Sequence, residues 1–222
     1  MLNGKRVQHR RNHHGGNGRI VDASFVEVTR QRNTREENEQ IKQYQTHEAC
    51  KEKPNKLRQK DVEARLTKKI ITTFFGYKNH VKTDKETKLI DTYVVTSASV
   101  HDSQALEDLI NKDDRGLTLH VDRAYIGQEK TVDKCSMVEQ IHERDTKTKK
   151  LTDYQKKSNR RKLSIRCRVE HVFGFMTNTM KAMYIRTFGI NRAKAKIGLT
   201  NLTYNMMRYV QLGKPVYNVF LI

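Results

Sequence analysis

The first stretch patterned for a structural element is Ile20-Val21, resumed at Phe25-Val26 and Val28, with Asp22 set inside it. β-Branched and aromatic residues over 19–28 predict a strand. Two similar runs follow at Thr73–Lys82 and Leu89–Ser97, and Asp84-Lys85-Glu86-Thr87 between them predicts a hairpin turn. Asp102 precedes a short predicted helix, Ser103–Ile110, which its carboxylate is placed to cap. Leu117–Val121 is a short apolar strand that runs into Asp122, and Met137–His142 is a further candidate strand. From about Thr152 the period becomes helical, with Leu163, Cys167, Phe173 and Met176 near one face. A last helix is predicted from Arg192 to Leu212, stopped by Gly213 and Pro215. Strand, hairpin, helix, strand and helices in that order predict an α/β fold, a mixed sheet flanked by helices.

Two stretches break the pattern. Residues 1–18 are Arg-, His-, Asn- and Gly-rich with almost nothing to bury, and read as a flexible basic tail. Residues 30–69 are dominated by charged and amide residues and read as a polar, partly helical insertion after the first strand. Length allows one domain with a sizeable core: 222 residues, divided here into the 1–18 tail, a 19–212 domain and a 213–222 tail. The formal net charge is +19, so the chain needs an anionic partner to offset its self-repulsion. Nucleic acid is the leading partner and anionic membrane surface the second. No apolar run reaches the length of a membrane span, and the N-terminus lacks a signal-peptide pattern. Three cysteines without CxxC spacing suggest reduced thiols and a cytoplasmic setting, with Cys167 read as a small core residue.

Candidate chemistry lies in the acids placed where acids are costly. Asp22 interrupts one apolar strand and Asp122 ends another. Burying a carboxylate without a partner costs several kcal/mol as a rough figure. Such a strand must offer the acid a cation, a set of donors or a wet edge. Glu170 lies on a predicted helix four residues after Arg166, so both are expected on one face. Three carboxylates converging from two strands and a helix would form a hard-oxygen site suited to two Mg²⁺ or Mn²⁺ ions and to phosphodiester chemistry. Arg166 would hold Glu170 or contact a phosphate. Taken singly, Asp22 also reads as a strand-edge acid, and Arg166–Glu170 as an exposed helix ion pair. With 25 Asp and Glu in the chain, composition alone does not choose.

The local sequences narrow the choice. Gly18–Val28 around Asp22 is followed by Arg30–Asn38, Phe75–Val81, Ser99–Gln104, Val121-Asp122-Arg123-Ala124-Tyr125-Ile126-Gly127, Arg166–Phe175, Tyr184-Ile185-Arg186-Thr187 and Ala193–Leu199. This ordered series closely resembles the transposases of the insertion-sequence-five group, within the DDE transposases of RNase H-like fold. The resemblance spans about residues 18 to 212. It implies that Asp22, Asp122 and Glu170 are the metal-binding carboxylates. It also implies that Arg166 and Glu170 form the arginine–glutamate part of the family's tyrosine–arginine–glutamate–lysine signature. The tyrosine and lysine positions fall on Leu163 and Thr177, so those two roles are not carried over. Arg123 stands where relatives usually have a small residue, and the tryptophan that relatives carry near Leu66 is absent.

By the same resemblance the chain is expected to cleave DNA at the ends of an insertion sequence and join them to target DNA. It would work as a homodimer in the DNA complex and be nucleoid-associated in a bacterial cytoplasm. Relatives carry a helical region before the first strand that is not found here, so an N-terminally truncated copy is expected. Arg168, Arg186, Arg192, Lys194 and Lys196, with the runs Lys147–Lys150 and Arg160–Lys162, are the candidate phosphate contacts. The alternatives are a nuclease of the same fold that cuts without joining, and a weak or inactive DNA-binding remnant.

Overall fold

In the computed structural model the described residues are 18–43, 55, 60–122, 125, 132–133, 136–140 and 150–213. The basic tail up to residue 17, Arg123, Lys147–Lys149, Cys50, Cys135 and the C-terminal tail from 214 lie outside them.

Strand β1 (Gly18–Val28) forms the centre of a seven-stranded sheet. On one side it pairs antiparallel with β3 (Thr72–Asp84), from Arg19↔Asp84 to Glu27↔Gly76. The far edge of β3 is shared. Strand β2 (Arg65–Lys69) pairs with its first five residues, and β4 (Ile90–Ser97) pairs with Tyr77–Thr83. The other edge of β1 is shared too. Strand β5 (Thr118–His120) runs parallel to Gly18–Ile20, and β7 (Tyr184–Ile185) parallel to Glu27–Val28. Strand β6 (Val138–Glu139) adds in parallel outside β5. The spine β4-β3-β1-β5-β6, an antiparallel trio extended by two parallel strands, with helices packed against it, is an RNase H-like mixed α/β fold.

Alternation along β1 sets its two faces. Val21 packs with Leu106 and Leu109 of α2 (Leu106–Leu109), and with Leu119, Val121 and Tyr125. Ile20 points to the other face and packs on Val169, Val172, Phe173 and Met176 of α4 (Arg168–Asn178). Val26 and Val28 continue that face onto Ala193 and Ile197 of α5 (Ile190–Gly213). Asp22 shares its parity with Ile20 and Val26 and so lies on the helix side, between two apolar clusters.

Gly76 is where β3 changes partner from β2 to β4. Its φ is +149°, and a Cβ there would lie 2.3 Å from the Val26 carbonyl oxygen, so only glycine lets β3 cross β1 this closely. The β3–β4 turn is closed as the sequence predicts: Asp84 Oδ1 accepts from the Glu86 and Thr87 N–H groups. Helix α3 (Asp153–Arg166) starts at a capping box in which Thr152 and Gln155 satisfy each other's backbone N–H.

Four details differ from the sequence reading. The short helix after β4 is capped by His101, whose Nδ1 accepts from Ser103 N–H, because the Asp102 carboxylate is taken by Lys78 at 2.8 Å. Among the described residues, the predicted strand from Met137 to His142 covers Val138–Glu139, and residues 141–142 lie outside them. The helix from Thr152 breaks at Cys167, whose ψ of −11° separates α3 from α4. That break turns the surface and puts Cys167 in solvent rather than in the core, with Leu163 also exposed.

The polar segment after β1 is tied in more firmly than its composition suggests. It holds α1 (Arg35–Lys42), capped by the Thr34/Glu37 pair, and Glu37 is buried against Lys60 at 2.6 Å. Asp61 is also buried. It accepts from the Tyr77 hydroxyl of β3 and from Gly189 N–H, while Glu63 accepts from Ile190 N–H. Two acids from this segment therefore fix the start of α5, where free N–H groups and the helix dipole favour negative charge.

Candidate active site

The sheet centre delivers the first acid. Asp22 sits mid-strand with a side chain 18% exposed, and its Oδ1 accepts the Ala23 N–H at 2.8 Å. Asp122 follows β5, the strand beside β1, and is half-exposed. Since Ile20 pairs with His120, the two aspartates fall two residues further along neighbouring strands. The α3–α4 junction supplies the rest. Arg166 ends α3, and its Nη1 lies 3.6 Å from Asp22 Oδ2 and 3.4 Å from Asp122 Oδ2. Glu170 is exposed in the first turn of α4.

Arg166, at the end of α3, reaches toward the two aspartates. Arg168, just past the break, donates to the Lys85 carbonyl at 2.9 Å and pins α4 to the β3–β4 turn. This candidate phosphate contact is thus half-buried and engaged in the fold.

Asp22 is the acid whose titration the surroundings shift. Burial pushes the Asp22 carboxyl up from 3.8 to about 6; the Ala23 N–H and Arg166 lower it, while Glu170 and Asp122 raise it further. Asp22 therefore lies within the field of both other acids. Among the described residues no group of three His, Cys, Asp or Glu side chains stands close enough to hold a metal ion. What the two aspartates do share is one cation, the Arg166 guanidinium, so their oxygens face a common space that fits a positive ion. Their all-oxygen donor set suits a hard divalent cation.

Other sequence candidates are dispersed. Arg186 follows β7, and Arg192, Lys194 and Lys196 lie on the first turns of α5, all exposed. β7 pairs with the Glu27–Val28 end of β1, about 20 Å of strand from Asp22 at some 3.3 Å per residue. Thr177 directs its hydroxyl to the Phe173 carbonyl at 2.8 Å. Two features escaped the sequence reading. Tyr125 is buried with a hydroxyl that has no hydrogen-bond partner among the described residues. Burial drives its ionisation far upward, and the charges of Asp102, Asp22 and Asp122 add to this, which puts the ring beside the acids. Lys156 and Lys157 are exposed on α3 beside Arg160 and Arg161 of the run already named as a candidate phosphate contact, and α3 buries no residue and leads directly to Arg166. The three-residue step from Asp122 to Tyr125 and the lysine pair were the only signals available.

The mixed sheet, with an antiparallel trio extended by parallel strands and helices packed against it, is that of RNase H-like proteins. Comparison with known proteins narrows this. The family described as Transposase DDE domain matches residues 13–206. The transposase for insertion sequence element IS1106 of Neisseria meningitidis serogroup B is 26% identical over 151 residues, 67% of this chain and 52% of that protein. The chain thus spans about half the length of this relative. No solved structure matches. The chain belongs to the DDE transposase domain family. Members of this family typically use a divalent metal. Among the described residues no helix is long and apolar enough to cross a membrane.

Proposed function

We propose that this chain is the catalytic domain of an insertion-sequence transposase, with Asp22, Asp122 and Glu170 as its metal-binding carboxylates. The observation that carries the reading is the sharing of one cation by Asp22 and Asp122, with Glu170 near enough to raise the Asp22 pKa. The residue series around these acids resembles that of the insertion-sequence-five group. Asp22 and Asp122 would hold one Mg²⁺ or Mn²⁺, and Glu170 would complete a second site. When bound, the two ions supply nucleophile activation and leaving-group stabilisation for cutting the element end and joining it to target DNA.

The protein's own groups do the positioning. The β1 backbone fixes Asp22 on a rigid strand, and the Ala23 N–H orients its carboxylate. Arg168 anchors α4 so that Glu170 is presented at the site. The exposed cations of α3 lead DNA phosphates toward the acids, and Arg186, Arg192, Lys194 and Lys196 offer a second phosphate-binding area near the far end of β1. DNA is the substrate, and a homodimer is the proposed assembly on it.

The test is nicking of supercoiled DNA with Mg²⁺ or Mn²⁺, together with assay of a strand-joining product. Wild type should nick, and Asp122→Asn and Glu170→Gln should not. Retained nicking by Asp122→Asn would refute the site assignment, and nicking without joining would favour a nuclease. A second reading, a DNA-binding remnant without catalysis, draws on the wide spacing of the three acids among the described residues. It predicts DNA binding with no metal-dependent nicking at all.

A further inference from the structure

Arg166 is placed unlike an ordinary ion-pair partner. A single nitrogen, Nη1, stands between carboxylates from two different segments, 3.6 Å from Asp22 and 3.4 Å from Asp122. Both distances exceed the usual N–H···O hydrogen-bond range, so charge rather than a bidentate fork holds the guanidinium there. Its Nε is buried with no hydrogen-bond partner among the described residues. A side chain with so much donor capacity unused is poorly satisfied where it lies. α3 buries no residue, and Arg166 is its last residue, one before Cys167.

We propose that Arg166 is an internal counter-ion that occupies the cation position between Asp22 and Asp122 in the metal-free protein, and that it must withdraw before a divalent ion can enter. This rests on the reading of Asp22 and Asp122 as metal ligands. Withdrawal frees a planar guanidinium whose geometry matches a phosphate. A DNA phosphate that captures Arg166 therefore opens the metal position. By linkage DNA and metal then tighten each other's binding. The arrangement keeps the site closed to metal until DNA is present.

The experiment measures Mn²⁺ binding from the free-ion paramagnetic resonance signal, with and without a short DNA duplex. The proteins are wild type, Arg166→Gln and Asp122→Asn. Without DNA, Arg166→Gln should bind Mn²⁺ at least about tenfold more tightly than wild type, the lower end of what one neighbouring charge does to a carboxylate equilibrium. DNA should tighten Mn²⁺ binding to wild type and leave Arg166→Gln almost unchanged. Equal Mn²⁺ affinity of wild type and Arg166→Gln, with binding lost in Asp122→Asn, would overturn the counter-ion role and leave the metal site standing. Binding that Asp122→Asn does not weaken, or no saturable binding to any of the three proteins, would overturn the metal-site reading and the proposal with it. If Arg166→Gln does not fold, wild type still decides. One arginine Nε–H resonance, assigned as the one absent from Arg166→Lys, should move on addition of the DNA duplex with saturating diamagnetic Mg²⁺, and an unmoved resonance overturns the proposal.

Discussion

Replacing Asp22 by Asn keeps the shape of the side chain and removes its charge, and in metal-free protein this should change stability in a pH-dependent way. Burial raises the folded-state pKa from 3.8 to about 6. At about 1.4 kcal/mol per unit, a gap of roughly two units corresponds to about 3 kcal/mol. With the side chain only 18% exposed, water screens little of this. The folded state binds the proton more tightly than the unfolded chain does. The stabilising contribution is therefore complete below pH 3.8 and is lost as pH rises through about 6. Asn carries no such penalty. Relative to wild type, Asp22→Asn should gain about 2–3 kcal/mol between about pH 4 and pH 7.5. Urea unfolding of both proteins in EDTA at the two pH values measures it. An equal stability difference at both would refute the claim that Asp22 is held ionised at a cost. The sign fits a carboxylate kept for binding a cation to the detriment of the fold.

Three further outcomes follow from the same structure. Lys82 is fully buried, bonded to Asp114 at 2.5 Å, and Asp114 also accepts from Arg19 at 3.2 Å. Asp114→Ala should cost about 3–5 kcal/mol in denaturant unfolding, and adding Lys82→Met should restore a large part of it; an additive double variant would refute the pairing. Gly76→Ala sets a methyl group against the Val26 carbonyl at a φ that L residues rarely adopt, so it should lose more than about 3 kcal/mol or fail to fold, and near-wild-type melting would contradict the crossing geometry. DNA affinity should fall steeply as salt rises, and Lys194→Ala with Lys196→Ala should flatten the log–log slope by about 1–2, roughly one unit for each phosphate no longer neutralised; an unchanged slope would remove α5 from the DNA surface.

Much of the scaffold was legible because it depends on near neighbours in the chain. β1, β3 and β4 were readable as runs of β-branched and aromatic residues, and the turn between the last two from an aspartate that bonds backbone two and three residues ahead. The candidate acids were legible in part: Asp22 and Asp122 stood out as charges set in apolar strands, whereas Glu170 needed the resemblance of its whole surroundings. The readings that changed concern a choice between local and distant partners. Asp102 was well placed to cap the next helix, yet Lys78 on β3, 24 residues earlier, took its carboxylate. The stretch 30–69 read as a polar insertion, and contacts with β3, the start of α5 and Lys60 bury two of its acids, Asp61 and Glu37.

The sequence by itself determined the strand and helix types, because hydrophobic periodicity and capping act over a few residues, and its resemblance to DDE transposases implied the RNase H-like class and the acids worth naming. Only the tertiary structure decided what stands between those acids. The spacing of Arg166 and Glu170 predicts a pair on one helix face, and says nothing of the strands Arg166 would face. Arg166 then meets Asp22 and Asp122, which lie 144 and 44 residues away in the chain and come together only through the parallel pairing of β1 and β5. Coulomb attraction depends on distance in space, and a pairing of that kind leaves no periodic trace along the chain.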